Sequence, residues 1–191
     1  MRVKCCLNFT VNGVLNRQTL YNSITKLTGR FQGANMLGMG ASKPVSGQAD
    51  DVVNCSISVA YDMIGNNFFK NYPKWCPQVV DLEQVSPPPI QPGTMGRQVT
   101  RDRGIDSEST FKVSEFSPAT RFEIKGITEH FRSAYELTSE GPDKTRIAFT
   151  FELQEIDLMM RPFQKLIKTA LQDGATQTIE NIKNLLEGAP A

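Results

Sequence analysis

Apolar residues along the chain fall into two spacings, a period of two over most of its length and a helical period near the end. Val52-Val53-Asn54-Cys55-Ser56-Ile57-Ser58-Val59 alternates well enough to predict a first strand. Met63 to Asn71, with Phe68 and Phe69, reads as a short helical or irregular stretch that Pro73 ends. A rigid turn follows, Tyr72-Pro73-Lys74-Trp75-Cys76-Pro77, and then a second strand over Gln78 to Val85. Pro87-Pro88-Pro89 closes that strand, because proline cannot donate to a ladder. Five more extended segments are predicted at Thr94–Arg103, Glu108–Phe116, Arg121–Ile127, Phe131–Thr138 and Lys144–Ile156. In the last, Ile147, Phe149, Phe151 and Leu153 alternate with Ala148, Thr150, Glu152 and Gln154, so one face is buried and one is wet.

After Pro162, well placed near a helix start, the period becomes helical. Phe163, Leu166, Ile167, Ala170, Leu171, Ala175, Ile179, Ile182, Leu185 and Leu186 form one apolar stripe. It spans about seven turns, roughly 37 Å at the standard rise. Gly188 and Pro190 mark its stop. The predicted class is α+β: a curved antiparallel sheet of about seven strands, a short helical segment after strand one, and a long C-terminal helix. With no second long helix to pack on, that helix must cover the apolar face of the sheet. A straight rod and a twisted sheet cannot touch along their whole length. The gap between them is the natural place for an apolar ligand.

Charge divides the chain of 191 residues. Residues 1–50 carry six basic groups (Arg2, Lys4, Arg17, Lys26, Arg30 and Lys43) against Asp50 alone, a net of +5, which leaves −4 on the other 141 residues of a chain with overall charge +1. Such a balance excludes a nucleic-acid binder that works by blanket basic charge. The basic leader resembles an organelle transit peptide or an unprocessed extension, with Gly33, Gly38, Gly40, Pro44 and Gly47 making 33–50 a flexible linker. The folded domain is then expected over 51–188. No apolar run of about 18 residues exists, so no stable membrane insertion is expected.

Cys5, Cys6, Cys55 and Cys76 form no zinc spacing, and the only histidine, His130, is remote from them. Reduced structural thiols point to the cytoplasm or another reducing compartment, or to a plastid or mitochondrion if the leader is a transit peptide. No phosphate loop, GxSxG or HExxH string is present, so neither a cofactor nor a metal is implied.

Several strings, taken in order, resemble the START-like superfamily of polyketide cyclase/dehydrase and lipid-transport proteins. These are Tyr72-Pro73-Lys74-Trp75-Cys76-Pro77-Gln78-Val79, Pro92-Gly93-Thr94-Met95-Gly96-Arg97, Phe111 through Phe122, Thr145-Arg146-Ile147 and the helix end Glu180 through Glu187. The resemblance runs from about Asp51 to Glu187. It implies a helix-grip fold, shared with a major pollen allergen, and a cavity for a lipid, polyketide, sterol or quinone. One departure stands out: Tyr61 to Tyr72 leaves room for only about one to one and a half of the two helices that such proteins place there.

Period two puts Arg97, Val99 and Arg101 on one face of their strand, and Phe111, Val113 and Glu115 on one face of the next. If those faces look inward, the two arginines and the glutamate need partners or a polar ligand head group. A bulge or one-residue slip would instead turn them to solvent. Trp75 is either a pocket wall or a core plug. Phe111, Phe122, Tyr135, Phe149, Phe151, Phe163 and Ile167 are core residues of which some would line the cavity. His130 and the adjacent Glu129 point to opposite faces, poor geometry for a dyad, which leaves a surface histidine. Met159 and Met160 suit an adaptable apolar gate or plain packing. Binding or carriage of a small apolar ligand is the leading expectation. The alternatives are a cyclase or dehydratase using Arg97, Glu115 or Tyr135 to handle protons, and a lipid or quinone chaperone serving a membrane enzyme.

Overall fold

A computed structural model describes residues 43–102, 104–156 and 158–188. The expected targeting segment, with Cys5 and Cys6, lies outside the described residues, as do the side chains of Met159 and Met160. Seven strands form one antiparallel sheet: β1 (Val45–Val53), β2 (Val79–Gln84), β3 (Met95–Asp102), β4 (Ile105–Ser117), β5 (Arg121–Gly126), β6 (Phe131–Gly141) and β7 (Lys144–Leu153). Their order is β1-β7-β6-β5-β4-β3-β2, a meander whose first strand returns to pair with its last.

Three helices complete the fold: α1 (Ile57–Tyr61), α2 (Phe68–Trp75) and α3 (Gln164–Glu187). A π-helical turn at Asp62–Asn66 joins α1 to α2. Pro73 sits inside α2 rather than ending it, two residues before the helix stops at Trp75. Phe68, Tyr72 and Trp75 recur at helical spacing on the buried face of α2. Ile167, Leu171, Ala175, Thr178, Ile179 and Ile182 do the same along α3, which lies over the sheet as the pattern predicted. Each buried large aliphatic on that stripe contributes about 2 kcal/mol of burial. Gly188 closes the helix in the left-handed conformation at φ 71°.

Two expectations about the start of the domain are overturned. Residues 45–50 belong to β1 and not to a linker, and the strand expected at 52–59 ends at Val53. Cys55 therefore follows the strand, and its carbonyl accepts the Thr145 hydroxyl at 2.9 Å. Because β1 finishes early, residues 57–75 have room for both short helices after all. Gly47 explains why the pattern was misleading. A Cβ there would lie 2.1 Å from the Leu171 carbonyl oxygen, so α3 seats on bare β1 backbone. The residue that reads as a linker glycine is the contact point of helix and sheet.

Candidate functional site

Aromatic rings fill the centre of the space between the sheet and the helices. Phe68 is fully buried at the centre, with ring centroids of Tyr72 at 4.7 Å, Phe122 at 4.8 Å, Phe69 at 5.5 Å, Phe111 at 6.1 Å and Trp75 at 6.3 Å. Trp75 is a core plug: its indole N–H donates to the Tyr135 hydroxyl at 3.2 Å, and its carbonyl accepts Asn181 Nδ2 of α3 at 3.1 Å. Gly96 belongs to the same packing, because a Cβ there would lie 2.3 Å from the Phe111 ring.

On one side of this plug is a small chamber beneath α3. Its walls are Tyr72, Phe131, Tyr135, Phe149 and Phe151, with Cys76 and Thr178 above. Gln98 and Thr100 of β3, Ser109 of β4 and Glu129 of the β5–β6 loop supply the remaining polar groups. The chamber's free volume is about 40 Å³. At about 10–15 Å³ per water, that is room for some three waters, much smaller than the free gap a rod on a curved sheet suggests. On the other side an open groove of about 460 Å³ runs past Phe69, Ile90 and Phe116, beside Asn66, Lys70 and Pro88. Rings in contact join the two hollows: Phe69 meets Phe68, and Phe68 stacks on Tyr72.

Behind the chamber's lining lies an unmet hydrogen-bond acceptor. Gln98 is 7% exposed and donates its Nε2 to Ser109 Oγ at 3.1 Å, while its Oε1 is buried without a partner. A buried acceptor left unsatisfied costs about 1–3 kcal/mol. Cross-strand register brings this group about, since Gln98 pairs with Ser109 and Thr100 with Ser107, placing polar side chains on the inner face. Glu129 stands at the mouth, where desolvation pushes its carboxyl above the ordinary range. Gly126 permits the tight loop that puts it there, because a Cβ would meet the Glu129 carbonyl oxygen at 2.0 Å.

β3 turns the opposite way from the inward reading. Gly96, Gln98 and Thr100 face the hollow, and Arg97, Val99 and Arg101 face outward. Arg97 is bound by Asp81 at 2.6 Å, Glu83 at 3.2 Å and Glu108 at 3.2 Å, and Arg101 by Asp106 at 2.6 Å. In β4, Phe111 and Val113 face inward as expected, but a bulge between Val113 and Glu115 sends Glu115 out to Arg121 at 2.9 Å. Phe116 takes the inner position instead. Of the remaining candidates, Phe122 is buried core, Tyr135 and Phe149 line the chamber, and Ile167 packs with Val45, Ile156 and Leu171. Phe163 is 53% exposed and His130 is exposed.

On the outer face of the sheet, Glu123 is a nearly buried carboxylate. Burial alone would raise its pKa, but hydrogen bonds from Arg121, Ser114, Arg132 and Lys125 override it and hold the group at about 2. That cluster braces β4, β5 and β6 from the face opposite the chamber. Among the described residues no group of histidine, cysteine and acidic side chains fits a metal ion, and no helix is long and apolar enough to cross a membrane.

The profile of the family described as polyketide cyclase / dehydrase and lipid transport matches residues 45–187. The chain belongs to this family. No match was found among the curated proteins. Solved structures share the fold. Norcoclaurine synthase from Thalictrum flavum, in complex with dopamine and hydroxybenzaldehyde, aligns at a TM-score of 0.59 and 14% identity, over 84% of this chain and 99% of that one. A di-domain ARO/CYC, StfQ, from the steffimycin biosynthetic pathway aligns at 0.61 and 14% identity, over 76% of this chain and 51% of that one. A protein from Thermus thermophilus aligns at 0.59 and 16% identity, over 76% of this chain and 99% of that one. At such identities the likeness carries the helix-grip architecture and nothing finer.

Sequence reasoning missed Gln98, Thr100, Ser109, Thr178 and Glu129 within the hollow that this family forms. Arginines drew attention because charge on an apolar face is costly. Uncharged polar residues in strands gave no such alarm. The available signal was the run Ser107-Glu108-Ser109 opposite Gln98-Val99-Thr100, which offers small polar groups on alternate positions of adjacent strands.

Proposed function

We propose that this protein binds a small organic ligand with an apolar body and a polar end in the chamber beneath α3. The aromatic walls of the chamber, with the polar side chains of Gln98, Thr100 and Ser109 gathered at one end, carry the reading, since a ligand filling it would bury apolar surface and meet polar partners. Family membership supports it, since both polyketide cyclase or dehydrase action and lipid transport require a hollow that receives an organic ligand. The chamber's size admits only the polar end of a ligand of about one ring, unless the walls at Phe131 and Phe151 give way to the ring itself. Longer lipids or polyketides require the ring plug to move toward the open groove. Thermal unfolding of the full chain with a panel of single-ring compounds tests the reading. At least one compound should raise the melting temperature at millimolar concentration; no shift with any of them would refute it.

A second reading, proton transfer on the bound ligand, is favoured by Glu129. A carboxyl with a raised pKa at the edge of an aromatic-walled chamber is suited to take a proton from carbon beside a ketone, the step that begins cyclisation or dehydration of a polyketide-like chain. Deuterium exchange into a small 1,3-diketone, followed by proton NMR, reports it. Exchange above the buffer rate that Glu129→Gln abolishes supports the reading; exchange at the buffer rate removes it.

A further inference from the structure

We propose that the open groove beside α2 is a second ligand site, which takes an organic anion with a flat apolar body and one carboxylate. The body lies against Phe69, Ile90 and Phe116, and the carboxylate meets the Lys70 ammonium. The groove shares no lining residue with the chamber, so the failure of either site leaves the other standing.

At about 460 Å³ the groove falls within the roughly 300–1,000 Å³ usual for small-molecule sites. Phe69 and Phe116 form its floor, half-buried and packed against the core. Phe69 stacks on Phe111 at 6.0 Å, while Phe116 meets Tyr61 at 5.7 Å and Phe122 at 6.1 Å edge-on. Both rings are therefore set before a ligand arrives. The facing wall, Pro88, Pro89 and Ile90, belongs to the loop between β2 and β3. Hydrogen bonds pin that loop: the Met95 N–H donates to Ser86 Oγ at 2.9 Å, and the Gln91 N–H to Thr94 Oγ1 at 3.0 Å. A fixed floor and wall offer apolar area at little ordering cost.

Charge in the groove has one sign. Lys70 lines it and makes no ion pair or hydrogen bond among the described residues. Lys74, one turn further along α2, is by contrast engaged, donating to Asn71 Oδ1 at 2.8 Å. The amides of the groove are turned to the chain itself. Asn66 Nδ2 and Asn67 Nδ2 donate to the Asp62 carboxylate at 3.2 and 2.8 Å, and Gln84 Nε2 donates to the Ser86 carbonyl at 3.0 Å. Asp62 is thus held by two asparagines, and Asp81 and Glu83 of β2 are held by Arg97 at 2.6 and 3.2 Å. No acidic side chain lines the groove among the described residues. A guest whose rings cover the floor finds one unspent charge beside it, and that charge is positive. Apolar contact supplies the affinity, and Lys70 selects the anion.

Naphthylacetate and its neutral counterpart naphthylethanol, whose fused rings exceed the chamber's 40 Å³, serve as probes in NMR titrations of the full chain at pH 7.5. The wild type should bind naphthylacetate about threefold more tightly than naphthylethanol, the worth of one partly exposed ion pair, with saturable shifts at Phe69, Lys70, Ile90 and Phe116. Lys70→Gln should erase that preference. Gln84→Glu, which sets a carboxylate in the groove, should reverse it, and both variants should leave naphthylethanol affinity within twofold. Equal wild-type binding of acid and alcohol, a preference that survives both variants, or shifts centred away from the groove overturns the proposal. So does a change in the groove signals on diluting ligand-free protein, which would give the groove to a second copy of the chain. Should one variant fail to fold, the wild-type comparison and the other variant decide.

Discussion

Phe68→Ala removes the ring on which the plug between chamber and groove is centred. Phe68 has no exposed surface, and the rings of Phe69, Tyr72, Trp75, Phe111 and Phe122 all lie within 6.3 Å of it, centroid to centroid. Buried Phe→Ala changes cost about 3–5 kcal/mol, and rings held by three elements, α2, β4 and β5, collapse poorly into the space, which argues for about 5 kcal/mol. For a chain of this size that lowers the melting temperature by about 15 °C. The vacated volume adjoins Tyr72 of the chamber and Phe69 of the groove, so it enlarges the binding space. Toluene at about a hundred times its Kd should return about 2.7 kcal/mol, or some 8 °C, to the variant. The same toluene concentration should shift the wild type much less. Far-UV circular dichroism melts with and without toluene read both effects. A fall below about 3 °C, far under the shift that such a cavity implies, or equal toluene shifts in the two proteins, would refute the claim that Phe68 separates the hollows.

Three further outcomes follow from the same geometry. Glu123→Gln should destabilise the protein by about 3 kcal/mol at pH 7 in urea unfolding, from a carboxyl held at about 2 against an ordinary 4.5. A lowered acid contributes fully above the unfolded value and loses its contribution as pH falls through the folded one, so the difference should shrink between pH 4.5 and 2; a constant difference over that range would contradict the assignment. Gly47→Ala should cost about 1–3 kcal/mol by urea unfolding, because the new Cβ meets α3 backbone at Leu171; a neutral effect would show that the helix does not seat there. Arg97→Ala should leave benzyl alcohol affinity within twofold of the wild type in an NMR titration, since Arg97 lies outside the hollow; a larger loss would put that face of β3 back in the site.

How much of this was legible in the residues depends on where apolar side chains carry the contact. β7 was plain because Ile147, Phe149, Phe151 and Leu153 are inward on a two-residue period, and α3 was plain because Ile167, Leu171, Ala175, Ile179 and Ile182 keep helical spacing, although Phe163 and Leu166 at the start of the expected stripe are exposed. β1 was hidden because its contact with α3 is made at Gly47, where the absence of a side chain is the feature that matters. β3 was turned over because its one aliphatic residue after Met95, Val99, faces out while Gly96, Gln98 and Thr100 face in. Glu115 followed the register of Phe111 and Val113 only up to a bulge that no local pattern marks. The candidate site thus escaped for the same reason that it is a site: its inner face departs from the apolar rule that reveals ordinary strands. The small volume was hidden too, since ring packing around Phe68 depends on α2 meeting β4 and β5 in space.

The most direct measurement is chemical-shift mapping of the isotopically labelled full chain titrated with benzyl alcohol, using side-chain amide, methyl and aromatic signals. Binding beneath α3 predicts saturable shifts centred on the Gln98 amide, Ser109, Phe131, Phe149 and Thr178, with intermolecular NOEs from the ligand ring to Phe131 and Phe151. Shifts centred instead on Phe69, Ile90 and Phe116 in the open groove, or no saturable shifts at all, would contradict it.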